Sequence, residues 1–241
     1  MRVALISDLH ANVVALDAVL ADIARVGHDQ IICLGDVATL GPEPNVLLER
    51  LDRLGCLSIL GNHDEFLLDE QLIHTYTEAP IVIEAVDWCR HRMSGAELGL
   101  LRRFVDKAEI ALSDTVKLLV FHGSPRSHME NLLATTPAEQ LDTCLGEHRA
   151  TVLAGGHTHL QLLRQHRGML LCNPGSVGMP FESFVNGRAP TLLPHAEYAS
   201  VEAVGDQPVV TLRRVAIDRD AVRRAVSPST NPLRDMLLQQ T

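Results

Sequence analysis

Short β-rich runs alternate with stretches of helical period along this chain, and one run after another ends on glycine, aspartate or histidine. Residues 2–6 read as a strand, and 12–26 as an amphipathic helix whose apolar positions are Val13, Leu16, Val19, Leu20 and Ile23. Residues 30–34 read as a buried strand, 44–54 as a helix entered through Pro42 and Pro44, and 56–60 as a third strand ending at Gly61. Strand and helix alternating in this way is α/β patterning. From about 65 to 107 the period is helical, and this segment carries the single tryptophan, Trp88. Beyond it the pattern predicts strands over 115–121, 151–154, 160–166 and 168–172, a helix over 137–148, and a tight turn at His166-Arg167-Gly168. Residues 178–197 have no clear period and read as a long loop, and loops of that length are usually functional or mobile. Strands over 198–204 and 208–216 and a helix over 219–226 close the fold, which leaves 227–241 as a peripheral tail.

Composition removes several classes of function. Apolar stretches such as Leu118-Leu119-Val120-Phe121 fall far short of the roughly 18 to 20 residues that a membrane-spanning helix needs. The apolar run at the N-terminus is too short for the core of a signal peptide, so the expected location is the cytoplasm. Five scattered cysteines, at 33, 56, 89, 144 and 172, form no C-x-x-C pair and read as reduced thiols, not as disulfides or a thiolate metal site. A net charge of −9, with no basic cluster longer than a pair, argues against an extended nucleic-acid face. An acidic chain that binds a small anion needs help from cations.

Five short signals stand at the expected strand ends: Asp8-Leu9-His10, Gly35-Asp36, Gly61-Asn62-His63-Asp64, His122-Gly123 and Gly155-Gly156-His157-Thr158-His159. In α/β sheets the crevice beyond the carboxyl ends of the strands is where ligands bind, so segments distant in sequence can converge there. The converging donors are oxygen and nitrogen, a set suited to divalent metals. On an extended backbone Asp8 and His10 point the same way, as do His157 and His159. Each signal alone has an ordinary explanation: a helix cap for Asp-x-His, a turn for Gly-Asp, a loop for His-Gly-Ser-Pro. Asn62 followed by His63-Asp64 reads equally as an N-cap with a first-turn carboxylate. All five in order at strand ends are far harder to assign to chance.

In that order, D-x-H, G-D, G-N-H-[DE], H-G and G-H-x-H, the signals from residue 8 to 159 resemble the signature of the calcineurin-like metallophosphoesterase superfamily. Asn173-Pro174-Gly175-Ser176-Val177-Gly178 is similar to its small bacterial and archaeal phosphodiesterases, so the resemblance covers about three quarters of the chain. It implies a four-layer αββα sandwich, two mixed β-sheets flanked by helices, with a metal site at the carboxyl ends of the strands. Residues 1–241 are then a single domain of this kind, with about 65–107 as a helical cap-like insertion. The resemblance also implies two divalent ions per chain, drawn from Mn, Fe, Ni or Zn. Asp8, His10 and His159 hold one, Asn62, His122 and His157 hold the other, and Asp36 bridges both. Such a pair, roughly 3.5 to 4 Å apart, activates a water and clamps phosphoryl oxygens. His63 lies above the ions, where it can protonate the departing alkoxide or contact a phosphate oxygen. Asp64 either orients His63 or serves as a first-turn carboxylate.

The phosphoprotein phosphatases of the superfamily continue the second motif as G-D-x-x-D-R-G, whereas here it runs Gly35-Asp36-Val37-Ala38-Thr39-Leu40-Gly41. Thr39 and Leu40 replace the Asp and the Arg that grips a phosphate dianion, which points to a small phosphodiester as substrate. Arg126, just after His122-Gly123-Ser124-Pro125, is the candidate that partly substitutes. Cyclic-nucleotide or dinucleoside-polyphosphate hydrolysis, phosphomonoesterase activity and a catalytically silent scaffold of the same fold are the alternatives, and a homo-oligomer is left open. The other histidines (28, 74, 91, 128, 148, 166 and 195) read as mostly surface residues, and Phe181 and Phe184 more as core packing than as the wall of a pocket.

Overall fold

The computed structural model describes residues 1–185 and 187–241. The chain runs β1 (Arg2–Ile6), α1 (Val13–Val26), β2 (Gln30–Cys33), α2 (Pro44–Leu54), β3 (Leu57–Ser58), then α3 (Asn62–Leu68), α4 (Ile73–Tyr76), α5 (Pro80–Arg90) and α6 (Gly95–Leu101). It continues β4 (Lys107–Ala111), β5 (Lys117–Phe121), α7 (Ala138–Leu145), β6 (Val152–Ala154), β7 (Gln161–His166), β8 (Met169–Pro174), β9 (His195–Val204), β10 (Gln207–Ala216), α8 (Arg219–Val226) and α9 (Arg234–Gln240). One sheet has the order β10-β9-β1-β2-β3, the other β4-β5-β6-β8-β7. Both are mixed. β1, β2 and β3 are parallel, as are β5, β6 and β8, while the remaining strands pair antiparallel.

Side-chain alternation along the strands builds the layers. Val3 and Leu5 of β1 and Ile32 of β2 point between the sheets, where they pack with Leu118, Val120, Val152 and Ala154 of the facing sheet. Ala4, Ile6 and Cys33 point outward onto Leu16 and Val19 of α1 and Leu47 and Leu51 of α2. On the far side, Leu119, Phe121 and Leu153 pack under Leu141 and Leu145 of α7. The result is the expected αββα sandwich. Because the central parallel strands are covered on both faces, they read in the sequence as unbroken apolar runs.

Several local expectations change. Lys107–Ala111 is a strand paired with β5, and α3 begins at Asn62, so the helical stretch is shifted toward the N-terminus and ends at Leu101 apart from a turn. β9 starts at His195, shortening the long loop; within that 178–197 stretch, residue 186 lies outside the described residues. The tail is not peripheral, because Leu233 and Leu237 pack with Val222, Val226 and Met179 in a satellite core. Phe184 does not pack inside but is 40% exposed. Of the seven other histidines only His74 and His91 are exposed, and His166 is buried with its Nε2 2.7 Å from Asp142 Oδ1. No helix among the described residues is long and apolar enough to cross a membrane. The cysteines are free thiols, all buried but the half-buried Cys56.

Candidate metal centre

The loops after β1 and β2 run side by side. The N–H of Asp8 donates to Gly35 O at 3.0 Å, that of His10 to Asp36 O at 3.1 Å, and that of Ala11 to Val37 O at 2.8 Å. Extended chain does not produce this pairing, since Asp8, His10, Ala11 and Asp36 all have φ between 42° and 56°. His157 and His159 are left-handed too, at 68° and 57°. The alternation expected for Asp8-x-His10 and His157-x-His159 is therefore corrected: left-handed turns aim these side chains. A non-glycine residue in that region costs on the order of 1 kcal/mol. Five of the seven expected ligands bear that cost, held there by cross-loop hydrogen bonds.

Glycine lets the strand ends close on one another. At Gly35, with φ 102°, a Cβ would lie 2.7 Å from Gly61 N and 2.9 Å from His122 Nδ1. At Gly156 it would meet the Ser7 hydroxyl and lie 2.7 Å from Asp8 Oδ2. Asp64 stands in the first turn of α3, and its carboxylate accepts from the N–H groups of Asp36 at 2.8 Å, Val37 at 2.9 Å and Gly61 at 3.0 Å. Its partners are backbone groups, and His63 is not among them. The His63 N–H donates to Asp36 Oδ1 at 2.9 Å. From the 173–178 loop, Ser176 Oγ donates to Asp8 O at 2.6 Å and Asn173 Nδ2 to Gly156 O at 2.6 Å, so this loop braces the turns that carry Asp8 and His157.

These turns gather the side chains into two buried groups that share Asp36. One donor atom from each of Asp8, His10, Asp36 and His159 lies within 4.8 Å of the others, and the same holds for Asp36, His122 and His157. Asn62 Oδ1 joins the second group, 2.9 Å from His157 Nδ1 and 3.1 Å from His122 Nε2. Acceptors face acceptors here. His122 Nδ1–H donates to Leu34 O and His159 Nδ1–H to Met179 O, both at 2.6 Å, because a carbonyl can only accept. In the neutral rings the Nε2 atoms are then bare lone pairs. That of His159 faces His10 Nε2 at 3.0 Å and Asp8 Oδ1 at 3.4 Å; that of His122 faces Asn62 Oδ1 at 3.1 Å and Asp36 Oδ1 at 3.4 Å. Asp8 Oδ1 is buried without any hydrogen-bond partner. Lone pairs converging on buried carboxylates are what a cation resolves, so the donor set fits divalent metal.

Protonation shows the same demand for positive charge. Burial alone lowers an imidazole, yet the Asp36 carboxylate drives His122 up to about 10. Burial holds His10, His63 and His159 below the usual histidine range and takes His157 down to about 3. Burial would raise Asp36, but His122 and His63 keep it well below the usual carboxylate range. Asp64 has both burial and the Asp36 charge against its ionisation and rises to about 7.

His63 stands beside the two groups, its ring edge-on to His10 with centroids 5.3 Å apart and its Nδ1 unpartnered. Arg126 is not brought to the cluster, since its Nε donates to Glu130 Oε1 at 2.8 Å on the surface. His128 pairs with Glu65 at 2.8 Å. Phe181 lies flat on His159 at 4.1 Å and also packs against the satellite core that holds Met179, so it joins the site to that core. Sequence reasoning passed over Tyr76, whose ring touches His63 and His157. Its only signal is an aromatic side chain set in the polar run His74-Thr75-Tyr76-Thr77-Glu78.

Comparison with known proteins agrees with this geometry. Residues 1–190 match the model of the calcineurin-like phosphoesterase superfamily domain. The protein MJ0912 of Methanocaldococcus jannaschii is 29% identical over 196 residues, 74% of this chain and 76% of that protein. Phosphodiesterase YfcE of Escherichia coli K12 is 26% identical over 193 residues, 75% of this chain and 81% of YfcE. A solved metallophosphoesterase from Sphaerobacter thermophilus, 26% identical, superposes with a TM-score of 0.76 over 100% of this chain and 98% of its own. The matched residues carry both buried donor groups, and the chain belongs to the calcineurin-like phosphoesterase superfamily.

Proposed function

We propose that this chain is a metal-dependent phosphoesterase that binds two divalent cations and hydrolyses a small phosphodiester. The observation that carries the reading is the sharing of Asp36 between two buried donor groups. Asp8, His10 and His159 would hold one ion, Asn62, His122 and His157 the other, and Asp36 both. Nitrogen and oxygen donors suit Mn, Fe, Ni or Zn, and availability decides among them. Such ions supply Lewis acidity toward phosphoryl oxygens and lower the pKa of a water. The chain's own residues do the rest. Asp64 and the cross-loop bonds keep Asp36 between the two groups, and the carbonyls of Leu34 and Met179 fix the tautomers of His122 and His159. His63, with Nδ1 free beside the cluster, can hold a proton there and pass it to the departing oxygen.

The preference for a diester rests on a missing cation. Thr39 and Leu40 stand where a dianion-gripping Arg would follow, and Arg126 would have to leave Glu130 to reach a phosphate. Among the described residues no Lys or Arg hydrogen-bonds a side chain of the cluster. YfcE, which bears the name phosphodiesterase, supports the same choice. Free thiols fit a reducing cytoplasm.

Protein stripped with chelator and reloaded with Mn, Ni, Zn or Mg is expected to bind two ions per chain and to cleave a chromogenic diester faster than the matching monoester. His63→Asn should lose about 10²-fold or more in turnover while both ions stay. Asp36→Asn should lose both ions, as counted by elemental analysis. Two ions retained in Asp36→Asn would refute the bridging role, and full occupancy without turnover on any ester would favour the silent scaffold.

A further inference from the structure

The cluster meets solvent at few points. Asp8, His10, Asn62 and His122 are fully buried, whereas His63 and His157 keep 6% and 8% of their surface exposed. Tyr76 touches both of these more open residues. Its ring stands edge-on to His63, with centroids 5.9 Å apart at 78°, and to His157 at 6.2 Å and 61°. Phe66, fully buried in α3, backs the same ring at 5.5 Å. Although three rings hold it, Tyr76 leaves 43% of its surface in solvent. Tyr198, the other tyrosine, is fully buried with its hydroxyl on Asp22. Phe181, the other aromatic at the cluster, already has its face on His159, with the planes 21° apart. An aromatic ring held by three others and left partly in solvent beside a polar site is a place for a flat ligand group, because offset or edge-on ring contacts gain most when one partner is already immobile.

We propose that Tyr76 receives a planar aromatic group of the substrate, so that the phosphodiester taken by this site carries an aromatic substituent beside the scissile phosphate. The inference rests on the phosphoester reading above and adds the class of substituent. It also explains what the segment between α3 and α5 contributes, since α4, anchored by the buried Ile73, holds the ring in place. With no side-chain cation to grip the phosphate, stacking is the source of selectivity that the described residues offer.

Methylphenylphosphinate and dimethylphosphinate carry the single negative charge of a diester, have no ester bond to hydrolyse and share one head group, so they isolate the ring. Calorimetric titration of the metal-loaded protein should show the phenyl compound binding about three- to tenfold more tightly. Tyr76→Leu, which fills much of the same space without a ring, should bring the two affinities together, and Tyr76→Phe should keep them apart. Tyr76→Trp should widen the gap, which keeps the inference testable if a smaller side chain disturbs His63. Equal affinities in the parent protein, or a preference that survives in Tyr76→Leu, would overturn the inference and leave the phosphoester site standing. If neither phosphinate binds protein that holds its metal, the phosphoester reading fails and takes this inference with it.

Discussion

Asp64 shows how much one side chain can organise. Its two oxygens accept from three backbone N–H groups on two loops, and all of these groups are buried. An unsatisfied buried donor costs about 1 to 3 kcal/mol. Asp64→Ala strands three of them, so even with some water entering, the loss expected in urea unfolding is about 3 kcal/mol. Metal content should fall with it, because the N–H of Asp36 is one of the three donors. An Asp64→Ala protein as stable as its parent would sink the idea of a clamp. The residue types at the site could be read in the sequence, but their left-handed backbone could not. That conformation is imposed on Asp8 and His10 by hydrogen bonds to Gly35 and Asp36, and pattern rules see only neighbours in sequence. For the same reason the two possible roles of Asp64 could not be separated before its partners were known.

Helix limits were readable wherever a single residue sets them. α2 runs over Pro44–Leu54 as expected, because Pro44 opens it and Gly55, at φ 62°, ends it in the left-handed region. α8 starts where Asp218 caps it, accepting from Ala221 N at 2.9 Å. β4 escaped notice because it is an edge strand with only Ala108 and Ile110 half-covered, too little apolar period to announce itself. How the elements attach to each other is also long-range. α1 is fastened to β9 and β10 through Asp22, which accepts from Tyr198 Oη at 2.8 Å and Arg213 Nε at 2.9 Å. Burial would raise this carboxyl, but the hydrogen bonds from Arg213, Arg25 and Tyr198 hold it well below the usual range. A depressed folded-state pKa means that the stabilisation is complete above the unfolded value of about 3.9 and disappears as pH falls through the folded one. Asp22→Asn should therefore be less stable than the parent at pH 7 and converge with it as the pH drops below about 4, followed as thermal midpoints across that range. Parallel curves at all pH values would show that the carboxylate's charge contributes nothing.

At the scale of the whole molecule the C-terminal segment acts as a strap over the metal side of the fold. Asn231 Nδ2 donates to Leu40 O and Gly41 O, both at 3.0 Å, which ties the segment to the loop after Asp36. Thr230 Oγ1 accepts from Trp88 Nε1 of α5 at 3.0 Å. The Gln240 amide brackets the loop after Met179, donating to Pro190 O at 3.0 Å and accepting from Leu192 N at 2.6 Å. None of these ties joins residues near each other in sequence, which is why a segment with one short helix read as peripheral while the five motif signals read as a site. Two of the three ties converge on the same donor group. Leu40 and Gly41 follow Thr39, whose Oγ1 is 3.3 Å from His10 Nδ1, and the loop bracketed by Gln240 begins at Met179, whose carbonyl accepts from His159. The other group, built by Asn62, His122 and His157, is braced from Leu34 and by no part of the tail among the described residues. Deleting residues 227–241 should therefore lower the thermal midpoint by several degrees, as expected for uncovering Met179, Val222 and Val226. With two ions bound as proposed, it should also weaken the one assigned to Asp8, His10 and His159 more than the one assigned to Asn62, His122 and His157. A competing chelator titrated against metal-loaded protein would release the two ions in separate steps in the truncated chain, and Asn231→Ala would give a smaller separation of the same sign. Both ions weakened to the same extent would mean that the strap holds the fold without discriminating between the two groups.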